Sequence, residues 1–475
     1  MIDPVQTCRR RAARTAAVIT ALAVCGAGPG LAHATEGGIV LLLPTDFYTA
    51  AGAAAVALTV VLMAVLPERA MSRIFAPLPL PLPLVRPPRG RAPQITSLLS
   101  ALLFLALLWQ GALGERDPME NPLTLGVWTA FWIMTVVVQG VVFDIWRWVN
   151  PWSGPAAALR GLGLRPVLAL PARLGYAPAI ATFLGFAGFL MVDPAPADPG
   201  RLAWAGGLYW AFTMLATLLF GPRWLRRGEG VTLLMRSYAR MSLVARRKGG
   251  LALGLSGWRV LRARVPRGGW AVFMLMMLAC GSFDGVNETF WWLGVWGINP
   301  LEFPGRSAVV AQNLVGLLAA NALLIAVFAA TVKTGLLLNR STLGLGPAMR
   351  LFAPTVLPIA LGYHIAHYYT AFLVDGQYLW AMIEMAFEAG HDHQGHDHHV
   401  TTGFFNTTDS MRRIWLTQAS AVVLGHVIAV MLAHGVALRV FGTARRALLS
   451  QAPLALFMIG YTFFGLWLLA SPRGV

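Results

Sequence analysis

Charge is scarce in this chain. Only 12% of its 475 residues are Asp, Glu, Lys or Arg, 57% are hydrophobic, and the mean hydropathy is +0.63. Soluble domains carry roughly 25% charged residues, so a soluble globular protein is excluded. Cysteine is scarcer still, with Cys8 and Cys25 in an N-terminal leader and Cys280 in an apolar run. One remaining thiol makes neither an internal disulfide nor a cysteine-based zinc site. P-loop, GxGxxG, GxSxG and HExxH motifs are missing, so ATP-driven pumping by this chain alone has no support and no enzymatic role is expected. The period-2 alternation of an outer-membrane barrel is absent, and no internal repeat suggests an inverted-repeat transporter. Between residues 35 and 363 there is no histidine at all.

Apolar runs of 18 or more residues recur along the chain instead. In lipid, backbone polar groups must be satisfied within each segment, so the fold class is all-α, a polytopic integral membrane helical bundle. Residues 1–34 read as a signal peptide: Arg9, Arg10, Arg11 and Arg14, an apolar stretch from Ala16, then Ala32-His33-Ala34 as a cleavage site. The alternative is an uncleaved first helix. Residues 35–475 form a single multi-pass domain with ten expected spans, at about 47–66, 95–113, 123–143, 174–192, 201–220, 269–283, 307–332, 351–375, 414–438 and 452–470.

Loop charge orients these spans. With the mature N-terminus outside, the inner loops 67–94, 144–173, 221–268, 333–350 and 439–450 hold 27 of the 37 Lys and Arg residues, and all outer segments together hold six. The positive-inside rule then predicts a bacterial inner membrane protein with both mature termini periplasmic. It also explains the net charge of +17 without nucleic acid. Pro77 to Pro83 reads as a stiff polyproline spacer. In the cytoplasmic basic loop 221–268, Val231 to Lys248 reads as a basic amphipathic helix on the inner leaflet. The segment from Asp144 to Trp152 reads as an interfacial aromatic belt.

Every mature histidine lies in one window: His364, His367, His391, His393, His396, His398, His399, His426 and His434. Imidazole is the commonest side-chain metal ligand and a usual haem ligand. His364 and His367 are three apart, so they share a helix face. His364 lies ~16 Å below the outer end of its span and His426 ~18 Å below the start of the next, at 1.5 Å per residue. His364, His367 and His426 are therefore expected to converge, with His434 a deeper relay about 12 Å further in. The periplasmic loop 376–412 carries the other five histidines, alternating with Asp392 and Asp397, a composition that binds copper, zinc or nickel. Asp284 and Glu288, four apart near the outer end of one span, and Glu384 and Glu388 before the His-rich run, are candidate entry carboxylates.

Transition-metal handling, by transport or delivery, absorbs most of these features. A periplasmic metal carrier or a respiratory complex is then the expected partner besides the lipid bilayer and the ions. One alternative is a haem b electron-transfer subunit ligated by His364 and His426, with Gly362 and Gly425 leaving room for the macrocycle. The other is a non-metal solute permease, in which Gln139, Asn313 and Asn321 bond between helices or line a path.

Overall fold

A computed structural model describes Val40 and residues 43–66, 68–80, 92–247, 250–302, 304–388 and 400–473. The signal-peptide stretch 1–34 and the histidine run 391–399 lie outside the described residues. In chain order the elements are α1 (Thr45–Val65), α2 (Glu68–Ile74), β1 (Leu78–Pro79), α3 (Ala92–Leu113) and α4 (Pro122–Val141). Then follow α5 (Trp146–Val149), α6 (Ser153–Gly161), α7 (Ala177–Val192), α8 (Pro199–Phe220), α9 (Arg223–Arg227) and α10 (Gly230–Tyr238). The hairpin β2 (Val244–Arg247) and β3 (Gly250–Leu253) precedes α11 (Gly268–Val286), α12 (Phe290–Val295), α13 (Val310–Leu338) and α14 (Leu345–Phe352). The chain closes with α15 (Leu357–Glu388), α16 (Thr408–Phe441) and α17 (Ala444–Ala470).

Among the described residues, nine helical segments are long and apolar enough to cross a membrane. They match nine of the ten expected spans. The tenth, expected at 174–192, is α7, whose 16 residues reach only ~24 Å at 1.5 Å per residue. Lipid and protein divide the helices unequally. In α1 and α3 only 17% of the apolar window is buried, whereas in α11 it is 72%. A helix apolar all round and buried all round belongs at the centre of a bundle. There α11 meets α13, α15 and α17. Successive helices α15, α16 and α17 pack side by side, and α1 returns against α16 and α17.

Two loop readings change. The loop between α8 and α11, expected on the inner side, does not form a long basic helix. Its helix α10 is nine residues long, buried at all but one position, and packed against α4, α7, α11 and α15. The reason is local. Glu229 caps its N-terminus, accepting from the amides of Val231 (2.7 Å) and Thr232 (2.6 Å), while the Tyr209 hydroxyl donates to the same carboxylate. Burial pushes the Glu229 carboxyl up, against those donors. Val231, Leu233, Leu234 and Met235 then supply apolar surface on every side. The polyproline reading also changes at its start. Leu78 and Pro79 pair antiparallel with Leu253 and Ala252, at the edge of a three-stranded sheet ordered β1-β3-β2, where a residue without an amide hydrogen is tolerated.

Gln139 fixes α10 to the end of α4. Its amide nitrogen donates to Met235 O (2.7 Å) and Asp144 Oδ1 (3.0 Å), and its oxygen accepts from Trp146 N (2.9 Å). Trp146 and Trp152 are buried among these helices, so the aromatic-belt reading of this segment gives way to core packing. Gln139→Leu leaves Trp146 N without a partner and Met235 O with the Ala239 amide alone (2.8 Å), and we expect a loss of about 1–3 kcal/mol in unfolding free energy measured in detergent. An unchanged unfolding midpoint would show that this anchor contributes nothing.

Candidate functional site

The window around Tyr363 delivers one cluster rather than three converging histidines. On α15, positions 363, 364, 367 and 368 follow the i, i+1, i+4, i+5 pattern that keeps side chains on one side of a helix. His367 places Nε2 3.3 Å from Asp284 Oδ2 on α11, an ion pair when the imidazole is protonated, and both residues are buried. The Tyr368 hydroxyl donates to the same Asp284 oxygen. His364 Nε2 lies 2.9 Å from Trp132 O on α4. A carbonyl only accepts, so this nitrogen carries the proton. Ring contacts close the group: His364 to Tyr368 at 4.9 Å, His367 to Tyr368 at 4.7 Å, His364 to Trp132 at 5.1 Å and His364 to Tyr238 of α10 at 6.4 Å.

The Trp132 carbonyl is available because α4 is not an ordinary helix. Residues Leu125–Thr135 wind as a π-helix, and Val136 N–H bonds to Phe131 O, five residues back. The return to α-helical bonding leaves one carbonyl without a donor of its own helix, and Trp132 O lies at that return, where His364 reaches it. Such irregular turns cluster at functional sites.

A cavity of about 30 Å³ adjoins the cluster, lined among others by Asp284, His364, His367, Tyr363, Tyr368 and Tyr238. It is large enough for one or two waters. Three of its lining residues carry buried polar atoms with no partner among the described residues, His367 Nδ1, the Tyr363 hydroxyl and Trp132 Nε1. Phe186, whose ring stands 4.8 Å from that of Trp132, also lines a second cavity of about 400 Å³. Its walls are mostly aromatic and aliphatic, including Phe104, Trp128, Phe131, Trp152, Phe189 and Tyr209.

The remaining candidates lie elsewhere. His426 donates through Nδ1 to Val422 O (2.9 Å) and faces Tyr461 of α17, whose hydroxyl is 2.5 Å from Ser282 Oγ. His434 accepts from Gln451 Nε2 at 2.7 Å. Equal depth did not bring His426 to His364, because the seam between α15 and α16 is closed by glycines. A Cβ on Gly362 would stand 2.4 Å from Ala421 O, and one on Gly425 2.6 Å from Pro358 O. The two glycines therefore let backbones touch, and the room they were expected to leave for a macrocycle is filled.

Asp284 and Glu288 do not pair either. Asn287 ends α11, and Glu288 turns to Arg473 at 3.6 Å. Glu384 and Glu388 sit in the last turns of α15, which runs 13 residues beyond Asp375 as helix instead of forming a loop. Glu384 is 17 residues past His367, or ~26 Å along the axis. His391, His393, His396, His398 and His399 lie outside the described residues. Among the described residues, no three His, Cys, Asp or Glu side chains are grouped to hold a metal ion. Asn313 and Asn321 bond between helices, to Trp292 and Met191 O and to Cys280 respectively.

Sequence reasoning passed over Tyr368, Tyr238 and Trp132 O. The tyrosine beside His367 was visible in the run Tyr363 to Tyr369, but nothing in the sequence marks a π-helical carbonyl or a buried α10. No family model matches the chain, and no curated protein or solved structure matches it significantly.

Proposed function

We propose that this membrane protein carries protons through the bilayer core at the Asp284–His367 pair and couples them to the movement of a small apolar solute. The observation that carries this reading is the buried ion pair itself. Ionisable groups inside a membrane bundle are costly, and Asp–His chains mark proton relays. Asp284 and His367 exchange a proton over 3.3 Å, and Tyr368 holds the carboxylate in register. His364, fixed by Trp132 O, offers the next acceptor across the small cavity. The apolar cavity that shares Phe186 with the small one supplies the solute chamber. Metal handling draws its remaining support from the 391–399 run. Of the intramembrane histidines, only His364 and His367 share a site.

The test is potential-driven proton entry into proteoliposomes carrying a pH-sensitive dye. We expect entry at least about tenfold above protein-free vesicles, falling to background in Asp284→Asn and His367→Gln. Entry no faster than in protein-free vesicles between about pH 5 and 9, or an Asp284→Asn variant that conducts like the parent, would overturn the reading.

A further inference from the structure

Charge balance fails at one place on the arginine-rich face. Arg236 in the last turn of α10 and Arg240 just beyond it gather beside Trp270, near the start of α11, and Arg259, after the β2–β3 hairpin, reaches the same segment at Ala239. The Arg240 and Arg236 guanidinium carbons stand 4.3 and 4.8 Å from the Trp270 ring centroid. Arg236 Nη1 donates to Arg226 O (2.7 Å), and Arg259 Nη1 donates to Ala239 O (2.5 Å). Arg240 is 7% exposed, and its Nη1 has no hydrogen-bond partner among the described residues. None of the three is within ion-pair distance of a described carboxylate; Asp144 acts on Arg236 and Arg259 from further away, and no carboxylate offsets Arg240.

Burying a guanidinium without a counter-charge is strongly unfavourable. Three of them together repel one another as well. Burial, then Arg236 and Arg259, push the Arg240 guanidinium down to about 10. Neutral solvent does not correct such a balance; an anion does. Guanidinium forks match the oxygens of phosphate bidentately, and a tryptophan face adds cation–π attraction.

We propose that Arg236, Arg240 and Arg259 form a binding site for a phosphate oxyanion. Trp270 lies two residues inside α11, and Tyr176, 6.0 Å from it, immediately precedes α7. Aromatic side chains at the ends of apolar helices stand at headgroup level, so the phosphodiester of an anionic phospholipid is the natural source, and a free phosphate is the other. Tyr238, between Arg236 and Arg240 on the same segment, lines the cavity at His364. Occupancy of the site therefore also holds in place the wall of that cavity.

The experiment is thermal unfolding of the delipidated, detergent-purified full chain with phosphatidylglycerol, phosphatidylcholine or inorganic phosphate added. Phosphatidylglycerol is expected to raise Tm by about 3 °C and phosphatidylcholine to leave it unchanged. A rise with phosphatidylglycerol alone assigns the site to a lipid headgroup; a rise with inorganic phosphate assigns it to a free phosphate. In either case the rise is lost in Arg240→Gln and kept in Arg445→Gln, an exposed arginine on the same face. If Arg240→Gln does not fold, Arg259→Gln, at a less buried position, gives the same reading. No rise with either probe, or a rise that survives these site substitutions, overturns the proposal.

Discussion

Asp284→Ala is expected to lower the unfolding free energy by about 3–5 kcal/mol, the cost of breaking a buried charge pair by removing one partner. Two groups lose their acceptor at once, His367 at 3.3 Å and the Tyr368 hydroxyl. Asp284→Asn separates structure from chemistry. The amide oxygen still accepts from Tyr368 and fills the same volume, so its cost is about 1–2 kcal/mol. Yet it cannot take up a proton, and proton entry should fall as far as in the alanine variant. Unfolding in detergent gives the first quantity and dye-loaded vesicles the second. An alanine variant within about 1 kcal/mol of the parent would mean that the pair is no stronger than a surface salt bridge.

The second large effect is expected at the α15–α16 seam. In Gly362→Val the new Cβ would lie 2.4 Å from Ala421 O and 3.3 Å from its carbonyl carbon. Both are backbone atoms, so the helices must separate rather than a side chain rotate. In a bundle held by close packing of small residues, such overpacking costs about 3 kcal/mol or more. It also shifts His364 and His367, two and five residues along, so proton entry falls together with stability. Gly188→Ala on α7 is the control, since nothing stands within 4 Å of its Cβ. There the change is neutral or slightly stabilising, because alanine favours a helix by up to about 1 kcal/mol. If Gly362→Val is as mild as Gly188→Ala, the seam is not close-packed in the bilayer.

Several features of this protein follow from the sequence because they depend on composition along the chain. Apolar length decides what can cross a bilayer, and the nine long helices stand where the apolar runs predict them. The pairing of His364 with His367 on one face follows from helical periodicity alone. Depth along a helix is likewise a one-dimensional quantity. What depth cannot give is the direction in which a side chain points once helices rotate against each other. His426 is at the right depth, but Gly362 and Gly425 draw α15 and α16 together along the line that would have joined it to His364. It faces Tyr461 instead.

The same limit applies to Asp284 and Glu288. Four residues apart would place them on one face, but the helix ends at Asn287, and one carboxylate goes into the bundle while the other goes to Arg473. Only tertiary packing decided that α10 is swallowed by the bundle, which buries Arg240 beside Trp270 and leaves Arg236 and Arg259 half-buried around it. It also decided that a π-helical stretch of α4 offers its Trp132 carbonyl to a histidine 232 residues away. Sequence determines which segments enter the membrane because transfer from water is a sum over residues. Contacts between those segments depend on shape in three dimensions, and that sum contains no shape.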